Sequence, residues 1–302
     1  YSSEVGKIGE EFNIMIKVIA SDMDGTLLNS DIEIAQENVE AIEKARAKGI
    51  HFVLCTGRMY DDAMGLINKA NLYAPAICMN GAEIRDEHGK IILQHPIDRN
   101  LARNTYNTLT ELGMYTEFFT DMGPITTDKA RGKEFMIEMH KRIHPDVPAE
   151  TIMDKVEERF ESKDVHEIPD VERILGNKDL TILKFISFSS DKEILAKAKQ
   201  KLEKDSELSV TSSFSDNIEI THREAQKGIS LQYYVEKLGV TLDETFAIGD
   251  NMNDISMLKM AGYSVAMGNG EEEVKDLAEH VTLSNDEHGV AAAIYKMLET
   301  ND

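Results

Sequence analysis

The sequence predicts an α/β fold: an open parallel sheet with crossover helices, interrupted by an inserted α+β segment. Three observations carry this reading. Short apolar runs alternate with amphipathic stretches over residues 16–80, the βαβαβ pattern of parallel strands. The same rhythm returns over 228–299. The stretch between holds paired strand-like runs with few crossovers, which marks α+β structure.

Each element follows from local pattern. The first 14 residues lack periodicity and read as an extension, with Met15 as the expected natural start. Residues 16–21 form a buried-type run. Over 32–49 Ile34, Val39, Ile42 and Ala45 fall near one helical face, and Gly49 can end the helix. A second apolar run covers 50–55, a helix is predicted at 60–70 and a third strand at 75–80. Residues 82–94 read as a hairpin turning at His88-Gly89. A helix at 97–112, strands near 115–119 and 124–127, helices near 132–142 and 148–162, a strand at 181–189 and a helix at 191–204 follow. The run from Phe160 to Asn177 is polar and reads as loop-rich. Two short strand-like runs then lead to the second block of helices (228–238, 253–260, 271–279, 287–299) and strands (244–249, 263–268, 280–284). The expected organisation is an extension at 1–14, a core at 15–83, an inserted α+β domain at 84–213 and the rest of the core at 214–302.

Composition narrows function. The 302 residues carry 33 Lys and Arg against 55 Asp and Glu, a formal charge of −22. Such a balance argues against a general nucleic-acid binder, which needs a basic face, and against docking on anionic lipid. Its apolar runs are far shorter than the roughly 20 residues of a membrane helix, and residues 1–14 show no secretory signal. Cys55 and Cys78 both sit in strand-like runs, so they read as small buried residues and a cytoplasmic setting is expected. The 15 methionines are scattered and read as core filler.

Four segments stand at the C-terminal ends of core strands, the edge where open α/β sheets bind ligands. Asp22 and Asp24 lie two apart before Gly25. Carboxylates this close need a cation between them or a proton on one, although an Asp-rich turn also gives this pattern. Thr56 and Gly57 offer a hydroxyl and close backbone approach, suited to phosphate oxygens or to a plain helix cap. Lys227 precedes a helix and could neutralise a phosphate or a carboxylate, or simply be solvated. Asp250, Asn253 and Asp254 open a helix after a buried strand, where they could complete a Mg²⁺ site or cap the helix.

Taken together, Asp22-Met23-Asp24-Gly25-Thr26, Thr56-Gly57-Arg58, Lys227 and Gly249-Asp250 with Asn253-Asp254 resemble the four motifs of the haloacid dehalogenase superfamily. Only 34 positions separate Asp22 from Thr56, whereas 171 separate Thr56 from Lys227. The inserted domain therefore falls in the second of the family's cap positions. With Asn80-Gly81-Ala82 this looks like the Cof-type phosphatases. Lys227 follows Gln where the family often has Ser or Asp.

The resemblance implies a Rossmann-like core under a cap, and a Mg²⁺-dependent phosphatase acting through an aspartyl-phosphate. It implies Asp22 as nucleophile and Asp24 as proton donor and acceptor. Mg²⁺ would be held by Asp22, Asp250 and the backbone carbonyl of Asp24. Thr56, Gly57 and Lys227 would hold phosphate oxygens, and Asn253 the phosphate or the metal's waters. Asp254 would orient Lys227 or those waters. Arg58, Asn80 and Gly81 are expected near the core–cap junction. The expected substrate is a small phosphorylated metabolite such as a sugar phosphate. A phosphomutase is the alternative enzyme, separated by whether phosphate reaches water without a bisphosphate activator. A phospho-accepting signalling module is a third reading, disfavoured by length and by the second Asp beside the nucleophile. His140 and His144 are spaced i, i+4, but no HExxH pattern completes them, so they read as a solvated helix face.

Overall fold

The computed structural model describes residues 15–161 and 165–300, so the expected extension lies outside the described residues. The chain opens with β1 (Val18–Ser21), α1 (Gln36–Ala47), β2 (His51–Cys55), α2 (Tyr60–Lys69), β3 (Ala76–Cys78), β4 (Glu83–Arg85) and β5 (Ile91–Gln94). It continues through α3 (Arg99–Glu111), β6 (Tyr115–Thr120), β7 (Gly123–Thr126), α4 (Lys129–Ile143), α5 (Ala149–Glu161), β8 (His166–Glu167) and α6 (Val171–Leu175). Then come β9 (Ile182–Phe188), α7 (Lys192–Leu202), β10 (Leu208–Thr211) and β11 (Asn217–His222). The last part holds α8 (Lys227–Lys237), β12 (Thr245–Gly249), α9 (Ile255–Met260), β13 (Tyr263–Ala266), α10 (Glu272–Leu277), β14 (His280–Val281) and α11 (Gly289–Thr300).

One sheet has the order β14-β13-β12-β1-β2-β3-β4-β5. The strands from β14 to β3 run parallel, and the β4–β5 hairpin adds an antiparallel edge. Successive residues feed opposite faces. Ile19, Leu54 and Ile248 pack with Ile42, Ile67 and Ile294 on one side. Val18, Ala20, Val53 and Ala247 pack with Leu231, Val235 and Leu258 on the other. Helices cover both faces, which is why these strands read as continuous apolar runs. The chain runs outward from β1 to β2 and β3, and returns on the other side of β1 as β12. That reversal of strand order opens a crevice at the C-terminal ends of β1 and β12.

The second sheet has the order β10-β11-β9-β6-β7-β8. Phe118, Phe185, Ile218 and Ile220 bury against Leu109, Leu195 and Leu202 of α3 and α7. The alternate positions Lys184 and Glu219 point to the other face, toward the crevice. Tyr115 and Phe188 also pack with Met136, Ile152, Val156 and Phe160 of α4 and α5. Among the described residues no helix is long and apolar enough to cross a membrane.

The expected boundaries at 84 and 213 need correction. The β4–β5 hairpin belongs to the first sheet, because β4 pairs with β3 through Ile84 and Ile77. Strand β11 belongs to the second, because it pairs with β9 and β10. A hairpin pattern shows that two strands pair with each other but not which sheet they extend. The chain thus passes between the sheets after Gln94 and again after His222.

Helix α1 starts at Gln36 rather than near 32. Asn29 Oδ1 accepts the N–H groups of Asp31 and Glu33, and Ile32 takes a positive φ of 62°, so a side-chain-closed turn holds the segment. The polar run after Phe160 still contains β8 and α6. Both cysteines are buried thiols.

Close packing of α8 on α9 sets the position of Lys227. The Gly228 N–H donates to Ser256 Oγ at 3.0 Å, and a Cβ at Gly228 would press on the Ser256 carbonyl and, at 2.7 Å, on Met260 Sδ. Gly228→Val is therefore expected to cost about 1–3 kcal/mol through overpacking, more than the few tenths gained in helix propensity. The urea midpoint should fall; an unchanged midpoint would show that the two helices have room to separate.

Candidate active site

Sheet register brings the acidic residues together. Ser21 pairs with Ile248, and the Asp22 N–H donates to the Ile248 carbonyl at 3.0 Å. Asp22 and Asp250 therefore emerge side by side from adjacent strands. Gly25 turns the chain with φ of 75°, and a Cβ there would strike the Asp250 carboxylate. Thr26 Oγ1 donates to Asp250 Oδ1 at 2.7 Å. Asp254 Oδ2 accepts the N–H groups of Asp250 at 2.9 Å and Asn251 at 3.0 Å, which folds the loop after β12 back on itself. Lys227, the first residue of α8, donates from Nζ to Asp22 Oδ1 at 2.5 Å and Asp254 Oδ1 at 2.6 Å.

This cluster is out of electrostatic balance. Oxygens of Asp22, Asp250 and Asp254 lie within 4.8 Å of one another, and Lys227 is the ammonium placed among them. Burial, then Asp254 and Asp250, push the Asp22 carboxyl well above its usual range, against the pull of Lys227. Burial and Asp254 push Asp250 up to about 6, against Thr26 and Lys227. Burial would strip Lys227 of its proton, but Asp22 and Asp254 outweigh it and hold its pKa above the ordinary lysine value. Three buried carboxylates around one ammonium fit a further small cation. An all-oxygen donor set selects a hard one, so Mg²⁺ fits the residues present.

The structure places the other predicted residues around this cluster. The Asp24 side chain is not part of it: Arg58 clasps that carboxylate through two bonds, at 2.7 and 2.8 Å, and also reaches Asp62 at 2.8 Å. Thr56 is fully buried, and its hydroxyl accepts the Arg58 N–H at 3.1 Å. Asp22, Asp24, Gly57, Arg58, Asp250 and Asn253 line a cleft of about 1060 Å³ between the sheets, while Thr56 and Lys227 lie beneath its surface. Asn253 Nδ2 donates to Asn80 Oδ1 at 3.1 Å.

Sequence reasoning missed the residues that reach the cleft from the second sheet. Lys184 donates from Nζ to the Gly57 carbonyl at 2.7 Å and to Glu219 at 3.2 Å. Glu219 accepts from Asn80 and, at 2.5 Å, from Ser213 Oγ. Burial opposes ionisation of Glu219, yet Lys184, Ser213 and Asn80 hold its pKa below the usual carboxylate value. The available signal was a lone charge flanked by apolar residues within a strand-like run, Lys184 in "ILKFISF" and Glu219 in "NIEITH".

The chain is similar to known proteins along nearly its whole length. A family model described as haloacid dehalogenase-like hydrolase matches residues 19–294. Phosphatase YwpJ of Bacillus subtilis is 32% identical over 287 residues, covering 94% of this chain and 100% of the relative. The 5-amino-6-(5-phospho-D-ribitylamino)uracil phosphatase YwtE of the same organism is 32% identical, covering 94% of this chain and 98% of the relative. A solved haloacid dehalogenase-like hydrolase from B. subtilis, 32% identical, superposes with a TM-score of 0.83 over 93% of this chain and 99% of its own. The match of motif, fold and length shows that the chain belongs to the haloacid dehalogenase-like hydrolase family.

Proposed function

We propose that this phosphoric monoester hydrolase uses Mg²⁺ to release phosphate from a small phosphorylated metabolite, of the sugar-phosphate kind, through an aspartyl-phosphate on Asp22. The observation that carries the reading is the buried cluster of Asp22, Asp250 and Asp254 around one lysine at the strand ends. A relative named for a phosphoribityl substrate supports the substrate class. A cleft of about 1060 Å³ that is walled by both sheets also suits a small molecule.

Asp22, Asp250 and the Asp24 carbonyl would hold Mg²⁺, whose charge lets a carboxylate approach an anionic phosphate. Asp22 then attacks phosphorus, and the bond to the leaving oxygen breaks as Asp24 gives that oxygen a proton. Asp24 next takes a proton from water, whose oxygen attacks the same phosphorus and frees Asp22 and inorganic phosphate. The Asp24 side chain is 45% exposed at the cleft, so it can turn from Arg58 toward the leaving group. Lys227 aims Asp22, and Asp254 aims Lys227. Thr56, Gly57, Asn253 and Lys227 are the residues assigned to the transferring oxygens. The second sheet closes over the cleft and excludes water during transfer.

Asp22→Asn should lower turnover of p-nitrophenyl phosphate by roughly 10⁴-fold or more while leaving the circular dichroism spectrum intact. Near-normal phosphate release by that variant would remove the nucleophile assignment. EDTA should abolish activity and Mg²⁺ restore it; full activity in EDTA would exclude the metal. The raised pKa of Asp250 makes a third prediction. Between its ordinary 3.8 and about 6 the folded protein holds a proton that the unfolded chain releases. Stability without metal should therefore fall as pH rises through that window. Mg²⁺ competes with this proton, so its stabilisation in thermal melts should be small at pH 5 and larger at pH 7.5. Equal shifts at both would show that Asp250 does not hold the ion.

A further inference from the structure

A second polar cluster joins the two places where the chain passes between the sheets. His95 follows β5, and its N–H donates to the Ala82 carbonyl at 2.8 Å. His222 ends β11, and Glu224 stands two residues on. The two imidazoles are 10° from parallel with centroids 6.1 Å apart. Nδ1 of His95 is 3.6 Å from a Glu224 carboxylate oxygen. One nitrogen of each ring and one Glu224 oxygen lie within 4.8 Å of one another. The two crossing segments are far apart in sequence, so the fold alone makes this juxtaposition.

We infer that His95, His222 and Glu224 form a binding site for a late first-row divalent cation of the Zn²⁺ class, spanning both crossing segments. Two imidazoles and one carboxylate suit Zn²⁺ or Co²⁺, whereas Mg²⁺ prefers oxygen donors. A tetrahedral ion with bonds of about 2.0–2.1 Å needs donors about 3.4 Å apart. Binding therefore draws the donors together by up to about 1.4 Å from their present separations within 4.8 Å and leaves the fourth position to water. Nδ1 of His222 accepts the Glu224 N–H at 3.3 Å, a long bond that the ion would displace, while the Glu207 carboxylate, 3.6 Å from Nε2 and tied to Arg223 at 3.1 Å, stands where a carboxylate orients a ligand imidazole. Glu224 is exposed, and His222 borders an open groove with Pro96, Asp98 and Glu207, so an ion can enter from solvent. The site is independent of the catalytic reading and uses none of its residues.

The test is calorimetric titration of Zn²⁺ into the full chain with Mg²⁺ saturating. Wild type should bind one Zn²⁺ that is lost or weakened by more than about tenfold in His95→Gln and in His222→Gln, since losing even an outer partner of a metal ligand costs tenfold or more. Glu224→Gln should weaken it in the same direction. Co²⁺ should give a visible absorption band that fades in the same variants, and circular dichroism confirms that each variant is folded. Glu224→Gln, whose side chain is exposed, decides the matter if the half-buried histidine variants fail to fold. Unchanged Zn²⁺ stoichiometry and affinity in the folded histidine variants, or no Zn²⁺ binding by wild type, would overturn the site.

Discussion

The rest of the active site depends on the buried contact of Lys227 with Asp22 and Asp254. Burying one charge without a partner costs several kcal/mol, so Lys227 can enter the interior only where carboxylates await it. The two carboxylates in turn tolerate burial only because the ammonium lies between them. That mutual requirement locks α8, β1 and the loop after β12 into one arrangement. The loop is further tied by Asp254 to the backbone of Asp250 and Asn251. Positioning and charge are thus supplied by the same atoms.

The balance is deliberately incomplete in a physical sense: the lysine answers only part of the negative charge. Asp250 shows the remainder most clearly, since its carboxyl is pushed up to about 6. A site with surplus buried negative charge is a poor stabiliser and a good cation receptor.

Much of this was legible in the sequence because it is local. Strands such as "KVIAS" and "TFAIG" announce themselves by continuous apolar character, and the acidic residues sit directly after them. The grouping of Asp22, Lys227, Asp250 and Asp254 followed from placing all four at one sheet edge. What could not be read was long-range register. The β4–β5 hairpin and β11 each carry a pattern compatible with either sheet, so both boundaries were displaced. Sequence position puts Arg58 near the junction, but its clasp on Asp24 depends on side-chain direction rather than spacing. The histidines tell the same story. His140 and His144 attract notice by their spacing and merely stack where α4 ends, with ring centroids 6.1 Å apart. His95 and His222 have no spacing to notice, yet the fold brings them together.

The pairing of β1 with β12 also bears on how the polypeptide is made. Strand β1 lies between β2 and β12, and the second neighbour is encoded more than two hundred residues after the first strand ends. During synthesis the growing chain therefore carries a bare strand edge, with its N–H and C=O groups unanswered, until β12 has left the ribosome. Such an edge invites pairing with other chains. The strands of the second sheet lie within one continuous stretch and can pair while that edge waits, so the segment from β1 to β3 has the most need of chaperone shielding.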